Sequence, residues 1–191
     1  MEPLALDPGS YGGTYKLVGG RSSLDLINTV SWPDTERAHD WLDSLHNLQR
    51  WMQALGLPAV RCKTTDLPAV SELRADLTAV LRPLAHGDQP PRRAIEPLNQ
   101  RIAQASSMRA IDPVTLAWTW RPPNQLLDAF APVAMDAAEL IATGSRDRLR
   151  HCPSCDWLFE DKTRNGQRRW CDMADCGSRD KSHRYYHRNR P

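Results

Sequence analysis

Four cysteines near the C-terminus constrain the fold of this chain more than any other feature. Cys152 and Cys155 are separated by two residues, fifteen residues lie between Cys155 and Cys171, and four lie between Cys171 and Cys176. Each close pair can form a tight turn that directs two sulfurs toward one tetrahedral centre. The spacing therefore predicts that these four residues bind one structural Zn²⁺ ion.

The alternative for the cysteines is a disulfide pair or four unrelated buried thiols, and His151 and His183 are candidate substitute ligands. A fifth cysteine, Cys62, lies far from the others. No apolar run is long enough to span a membrane, and residues 1–10 lack the basic start and apolar stretch of a secretory signal. We therefore expect a cytoplasmic protein with no membrane partner, in which a reducing environment keeps the thiols available for metal.

The segment between the two cysteine pairs predicts a hairpin. Residues 157–159 and Trp170 are β-prone and flank Asn165-Gly166, which is typical of a type I′ turn. A helix is predicted after Cys176, because no helix breaker follows Gly177 until the end of the chain. The C-terminal part is thus predicted to be a zinc-ribbon-like finger with a terminal helix, and a closed shell of four thiolates would make its zinc structural.

The rest of the chain is predicted to be mainly helical. Apolar residues recur at steps of three and four in the longer predicted helices. The predicted helices cover approximately residues 22–30, 36–55, 66–85, 93–105 and 124–143. Residues 108–111 and 115–120 predict a β-hairpin with Trp118 and Trp120 on one face. The fold class is therefore α+β, with a flexible arm at 1–13, a mainly helical domain at 14–145 and the finger at 148–191.

Basic residues in the finger indicate a nucleic-acid-binding surface. Lys181, Arg184, Tyr185 and Arg188 recur at helical spacing on one face of the predicted terminal helix, which suits phosphate contacts and base stacking. The candidate nucleic-acid-binding residues are Arg164, Arg168, Arg169, Arg179, Lys181, Arg184, Tyr185 and Arg188. The alternative is a solvated helix that offsets the negative charge of a zinc ion bound by four thiolates.

A second candidate site lies near the N-terminus. Asp25, Asn28 and Thr29 share one face of a short helix behind Gly19-Gly20, where they could form a polar corner for a small ligand. Local capping and turn hydrogen bonds are the alternative. The sequence contains neither of the glycine-rich phosphate-binding patterns, no zinc-protease motif and no nucleophile elbow, so we expect no enzyme activity.

The chain resembles a bacterial family that joins an ABATE domain to a CGNR-type zinc finger and to which stress-induced transcription regulation is ascribed. The N-terminal resemblance lies in Gly19-Gly20-Arg21 and Leu24-Asp25-Leu26-Ile27-Asn28-Thr29. The C-terminal resemblance lies in Cys152-Pro153-Ser154-Cys155, Phe159, Asp161, Arg168-Arg169-Trp170-Cys171-Asp172-Met173, Cys176-Gly177-Ser178-Arg179, Lys181 and Arg188. Ser178 stands where this family typically has asparagine, so a role specific to that amide does not carry over.

The resemblance implies a zinc-dependent transcription regulator. In our leading hypothesis the finger binds DNA and the helical domain senses a signal or pairs with a second copy as a homodimer. The first alternative is an RNA-binding ribbon that stacks unpaired bases on Trp157, Trp170, Tyr185 or Tyr186. The second is a protein-interaction module whose N-terminal domain binds a metabolite.

Overall fold

The computed structural model describes residues 2–143 and 145–188, with the backbone alone at 145, 187 and 188. Within them lie seven α-helices: α1 (Ser22–Ile27), α2 (Leu45–Ala54), α3 (Leu67–His86), α4 (Ile95–Ser107), α5 (Leu126–Ala129), α6 (Ala131–Ala142) and α7 (Ser178–Arg188). The strands are β1 (Val30–Ser31), β2 (His39–Asp40), β3 (Arg109–Ile111), β4 (Trp118–Trp120), β5 (Leu149–His151) and β6 (Leu158–Glu160). They form three separate antiparallel pairs, β1 with β2, β3 with β4 and β5 with β6.

The long helices begin and end where local signals place them. Helix α3 has Pro68 in its first turn and ends at Gly87, whose φ of 87° is the left-handed conformation that terminates a helix at low cost. Pro132 lies at the start of α6, and the predicted helix over 124–143 is accordingly divided into α5 and α6 at Phe130.

The start of the predicted helix over 36–55 was wrong. Helix α2 begins only at Leu45, after Ser44, whose side chain accepts a hydrogen bond from the Asn47 amide as an N-cap. Upstream, Trp41 is buried from an extended segment, and its amide donates to the Thr29 carbonyl over 2.8 Å. Trp41 therefore fits the helical spacing and is buried, but it does not lie in a helix.

The main core lies among α1, α2, α3, α4 and α6 and is completed by aromatic side chains. Trp51 and Phe130 stack with ring centroids 5.9 Å apart. The Tyr15 hydroxyl donates to the Asp25 carbonyl over 2.7 Å and accepts from Trp51 Nε1 over 3.0 Å. These two hydrogen bonds connect Tyr15 to α1 and α2, and they hold the N-terminal segment against the helices.

Residues 2–13, which we predicted to form a flexible arm, pack against this core. Leu4 forms a β-bridge with Tyr15, and Leu6 is buried. The Asp7 amide donates to Asn47 Oδ1 over 2.7 Å, and Asn47 Nδ2 donates back to the Asp7 carbonyl over 2.8 Å. The glycines and prolines of this segment therefore allow turns rather than disorder.

The hairpin of β3 and β4 confirms the sequence prediction. Its register pairs Arg109 with Trp120 and Ile111 with Trp118. The Arg109 guanidinium lies over both tryptophan rings, 4.8 Å from the centroid of Trp118 and 4.9 Å from that of Trp120. The two tryptophans consequently share one face, as the alternation of a strand requires.

The finger, residues 148–188 as described here, differs from the prediction in its strand pairing. Strand β6 pairs with β5, which precedes the first cysteine pair, whereas Trp170 lies outside any strand. Gly166 does lie in a turn, since its amide donates to the Thr163 carbonyl over 3.2 Å. The spacing of the cysteines was thus a better guide than the β-propensity between them.

The finger and the helical domain share a core. Leu149 and Leu158, from the two strands of the finger, are buried in the same apolar cluster as the helices. Within the described residues, no helix is both long and apolar enough to cross a membrane. The β5–β6 hairpin is therefore part of the main fold, and the two domains are packed against each other through a shared apolar core.

Candidate metal centre and its cationic surroundings

The turn between β5 and β6 presents the first two sulfurs. The Asp156 amide donates to the Cys152 carbonyl over 2.8 Å, and the Cys152 amide donates to the Trp157 carbonyl over 2.9 Å. These bonds close a tight loop around Cys155. The two-residue spacing therefore folds the chain so that both thiols project from the end of one hairpin.

The second pair of thiols is held by the turn that leads into α7. Asp172 caps this turn through its side chain, which accepts from the Ala174 amide over 2.8 Å. The Gly177 amide donates to the Asp172 carbonyl over 3.0 Å. Cys171 precedes this wide turn and Cys176 lies within it, so the start of α7 is tied directly to the cysteine cluster.

The four sulfurs fit one tetrahedral zinc ion. Sγ of Cys171 lies 3.5 Å from that of Cys155 and 3.6 Å from that of Cys176, and all four sulfurs lie within 4.8 Å of one another. Zn–S bonds of ~2.3 Å in a tetrahedron separate sulfurs by about 3.8 Å. A disulfide would need about 2.05 Å, and all four thiols are free. The prediction of a four-cysteine zinc site is confirmed.

The charge states of the thiols depend on one another. The contact between Cys152 and Cys155 lowers the pKa of the Cys152 thiol and raises the pKa of the Cys155 thiol. The sulfur that donates the hydrogen bond is stabilised in its protonated form, and the sulfur that accepts it is stabilised as the thiolate. Contacts with Cys152 and Cys155 likewise raise the pKa of Cys171. A bound dication favours the thiolate at every ligand, so zinc binding releases protons.

Three cations from different parts of the chain surround the cluster. Arg179 Nη2 donates to Cys176 Sγ over 3.3 Å, and Lys16 Nζ forms an ion pair with Asp172 over 2.7 Å. Burial is the largest single effect and opposes the charge of Arg179, but the Cys176 thiolate and the Asp175 carboxylate together outweigh it, so the pKa of Arg179 is raised. Arg168 Nη2 donates to the carbonyl of Cys171. These cations offset the net negative charge that four thiolates leave on a zinc ion.

The structure divides the predicted nucleic-acid-binding residues into two groups. Arg168 and Arg179 are already engaged within the protein. Arg168 also donates to the Val18 carbonyl over 3.1 Å and lies 4.4 Å above the Phe159 ring, and Arg179 contacts Cys176 Sγ. Arg179 is nevertheless half exposed, and the other exposed residues are Arg164, Arg169, Lys181, Arg184 and Tyr185. The side chain of Arg188 lies outside the described residues.

The predicted ligand corner is closed. Asp25, Asn28 and Thr29 are 4%, 1% and 0% exposed, and each already has protein partners. Asp25 accepts from the Gly19 amide over 2.8 Å, and Thr29 donates to the Leu26 carbonyl over 2.6 Å. A ligand therefore cannot reach these three side chains. Their hydrogen bonds instead connect segments of the fold.

Gly19 and Gly20 lie where the helical domain meets the finger. The Gly19 carbonyl accepts from the Glu160 amide over 2.8 Å, and the Gly20 carbonyl accepts from Lys162 over 2.6 Å. A Cβ on Gly19 would lie 2.9 Å from the Asp25 carboxylate, and Gly20 has φ 77°. Gly19 is thus required for the close approach of this segment to α1, and Gly20 is required for its left-handed backbone.

Sequence reasoning missed the contribution of Lys16 to the site. Its partner Asp172 is 156 residues away along the chain, so no local pattern signals the pairing. A cavity of about 290 Å³ opens beside these residues, between the N-terminal segment and the finger, and Trp32 and Trp157 line it together with Arg179. The metal centre therefore borders both parts of the molecule.

Comparison with known families agrees with this division of the chain. The ABATE family model, described as "Putative stress-induced transcription regulator", matches residues 20–144. The model of the CGNR zinc finger matches residues 148–189. No curated protein matches the chain significantly. The resemblance first noted in the glycine-led segment and the cysteine motif is confirmed over nearly the whole sequence.

Proposed function

Since the chain belongs to the ABATE family and carries a CGNR zinc finger, we propose that it is a bacterial transcription regulator of the stress response that binds duplex DNA through α7. The observation that carries the proposal is the exposed cationic face of this helix, which starts directly at the zinc ligands. The family description and the presence of a zinc finger support a role in transcription.

Helix α7 has two different sides. Arg179 contacts Cys176 Sγ and thus lies on the side of the metal centre. Lys181, Arg184 and Tyr185 follow at helical spacing on another side, and all three are exposed. Residues three and four apart share a helix face, so these side chains form one surface. Zinc therefore anchors the beginning of the helix and leaves this surface for a partner.

The exposed surface has the chemistry of a phosphate-binding face. Lys181 has no ion pair within the described part of the chain, and the Arg184–Asp180 pair at 2.7 Å joins an exposed arginine to a half-buried aspartate four positions earlier on the helix. Such pairs contribute about 0–1 kcal/mol, so a phosphate can displace Asp180 at low cost. Basic side chains on a helix suit the major groove, where an α-helix fits.

The two exposed tyrosines support single-stranded nucleic acid as a second candidate. Tyr185 and Tyr186 are 59% and 71% exposed, which leaves ring faces for base stacking. Trp157 is instead occupied, because its Nε1 donates to the Val30 carbonyl over 3.2 Å and its ring packs on Tyr15. Trp170 is half-buried, and the Arg169 guanidinium lies 5.1 Å from the centroid of its ring. The exposed stacking surface of the RNA hypothesis therefore lies on the terminal helix.

Fluorescence anisotropy with a labelled random-sequence duplex tests the proposal. The zinc-loaded full chain should bind with an affinity that falls steeply with salt. Lys181→Ala/Arg184→Ala should bind about tenfold more weakly or worse, with a salt slope smaller by about 2. Arg50→Ala/Arg93→Ala is the matched control, since it removes the same charge from exposed positions outside the finger.

Two results would reject the proposal. The first is equal affinity of the wild type and the α7 double variant for duplex DNA. The second is displacement of the duplex by single-stranded RNA with no measurable competition in the opposite direction, which would select the RNA alternative. We also propose that the protein is cytoplasmic and that it has no enzymatic role. The second of these proposals rests on the metal site, because a shell of four thiolates leaves zinc no open position for a substrate.

A further inference from the structure

A second group of metal-binding side chains lies outside the cysteine cluster. His86 is in the last turn of α3, His151 ends β5, and Asp156 follows Cys155 in the turn of the finger. One ligand atom from each lies within 4.8 Å of the other two. The group therefore brings together a helix of the N-terminal domain and the hairpin of the finger.

The carboxylate of Asp156 is central to this group. Its Oδ1 lies 3.0 Å from His86 Nε2 and 3.5 Å from His151 Nδ1. The two imidazole rings stack with centroids 3.8 Å apart and an angle of 21° between their planes. All three side chains are about one-third exposed and border a cavity of about 260 Å³. An ion could therefore reach the group from solvent and retain water ligands.

The backbone of the cysteine turn fixes the position of this carboxylate. Asp156 has φ 60°, a left-handed conformation that is uncommon for residues other than glycine and that aspartate tolerates better than most. Its amide is held by the Cys152 carbonyl. Because the turn is tied to the zinc ligands on both sides, the carboxylate is directed toward the two rings by the finger itself.

Arg82 occupies only one oxygen of the same carboxylate. Its Nη1 lies 2.9 Å from Asp156 Oδ2, which leaves Oδ1 directed toward the histidines. Carboxylates that bind metals are commonly oriented by such an outer hydrogen bond. One carboxylate oxygen is too few for Ca²⁺ or Mg²⁺, which need several oxygen ligands, whereas two imidazoles favour ions such as Zn²⁺, Ni²⁺ and Cu²⁺.

We propose that His86, His151 and Asp156 bind a divalent transition-metal ion that joins α3 to the zinc finger. Two imidazole nitrogens and one carboxylate oxygen supply three ligands, and water completes the coordination. The rings rotate out of their parallel stack so that their lone pairs converge on the ion, which their exposure permits. This second ion fastens the finger to the helical domain and is independent of the proposed DNA binding.

Titration with Ni²⁺ tests the proposal on the full chain without an affinity tag. The protein is loaded with one zinc ion, and bound nickel and retained zinc are measured together after equilibrium dialysis. The wild type should bind one nickel ion per chain and retain its zinc. His86→Asn should bind nickel about tenfold more weakly or worse, while the control His46→Asn, at an exposed histidine of α2, should match the wild type.

A second variant separates metal binding from folding of the turn. Asp156→Gly removes the carboxylate but suits the left-handed backbone, so zinc should remain bound while nickel affinity falls. The proposal is overturned if the wild type binds no nickel, if His86→Asn binds it as tightly as the wild type, or if each nickel bound releases one zinc. Ca²⁺ or Mg²⁺ binding at the same residues would also contradict it.

Discussion

Asn28 and Leu158 exchange two hydrogen bonds across 130 residues of sequence: Asn28 Nδ2 donates to the Leu158 carbonyl and the Leu158 amide donates to Asn28 Oδ1, each over 2.8 Å. The side chain of Asn28 thus pairs with strand β6 as another strand would. Both residues are buried, so the bonds are shielded from water. This contact connects α1 to the finger.

Asn28→Ala should therefore weaken the attachment of the finger. The change removes two buried hydrogen bonds and leaves the amide and carbonyl of Leu158 without partners, which should cost about 2–4 kcal/mol. Urea unfolding followed by tryptophan fluorescence measures this loss. Asn99→Ala, at an exposed site on α4, is the control and should change stability by less than about 0.5 kcal/mol. Equal stability of the two variants would contradict the role of Asn28.

Asp25 should make stability depend on pH. Burial raises the pKa of this carboxyl to about 7, although the hydrogen bond from the Gly19 amide opposes the shift. The folded chain then keeps a proton that the unfolded chain loses near pH 4. The stability from this proton is complete below about pH 4 and is lost as the pH rises through 7.

The change from pH 6 to pH 8 should lower the free energy of unfolding by about 1 kcal/mol through Asp25. Asp25→Asn should lose this contribution, because the amide oxygen can still accept from Gly19 without titrating. The measurement is the difference between the two proteins in zinc-saturated urea unfolding at both pH values. Parallel pH dependence of wild type and variant would show that Asp25 does not titrate as its burial indicates.

Arg179 and Arg184 should act on different properties although they lie in the same helix. Arg179→Ala removes the hydrogen bond to Cys176 Sγ and a charge beside the thiolates, so zinc affinity should fall about tenfold. Arg184→Ala should leave zinc affinity unchanged. Competition with a chromophoric chelator measures both affinities. If the two variants release zinc alike, Arg179 has no specific role at the metal centre.

Removal of zinc should destabilise the entire chain. Leu149 and Leu158 leave the shared core if the finger unfolds, so the helical domain loses part of its apolar packing. We expect a chelator to lower the melting temperature of the α-helical circular dichroism signal. Cys176→Ser should behave like the chelated protein, whereas Cys62→Ser should retain zinc and melt as the wild type does. Unchanged melting of the helices without zinc would show that the two domains are independent.

The sequence predicted the features that depend on nearby residues. Helix α3 follows from the apolar periodicity over 66–85, and the zinc site follows from two close cysteine pairs. Both signals lie within a few residues of the structure they specify, so a single sequence suffices to recognise them.

The sequence did not reveal how the finger attaches to the helical domain. Asn28, which follows α1, and Lys16, which precedes it, meet finger residues more than a hundred positions away, and such pairings leave no local pattern. The sequence suggested a ligand corner at Asp25, Asn28 and Thr29, because polar residues cluster on one helix face both at a binding site and at a buried boundary between two parts of a fold. Only the packing of β6 against α1 distinguishes the two cases.

The most direct test of the account is zinc X-ray absorption spectroscopy on the full chain that contains one zinc ion per molecule. A first shell of four sulfur atoms at about 2.3 Å is the expected result, since the four thiols converge on one tetrahedral point. A shell with nitrogen or oxygen replacing sulfur, or a chain that binds no zinc, would contradict it.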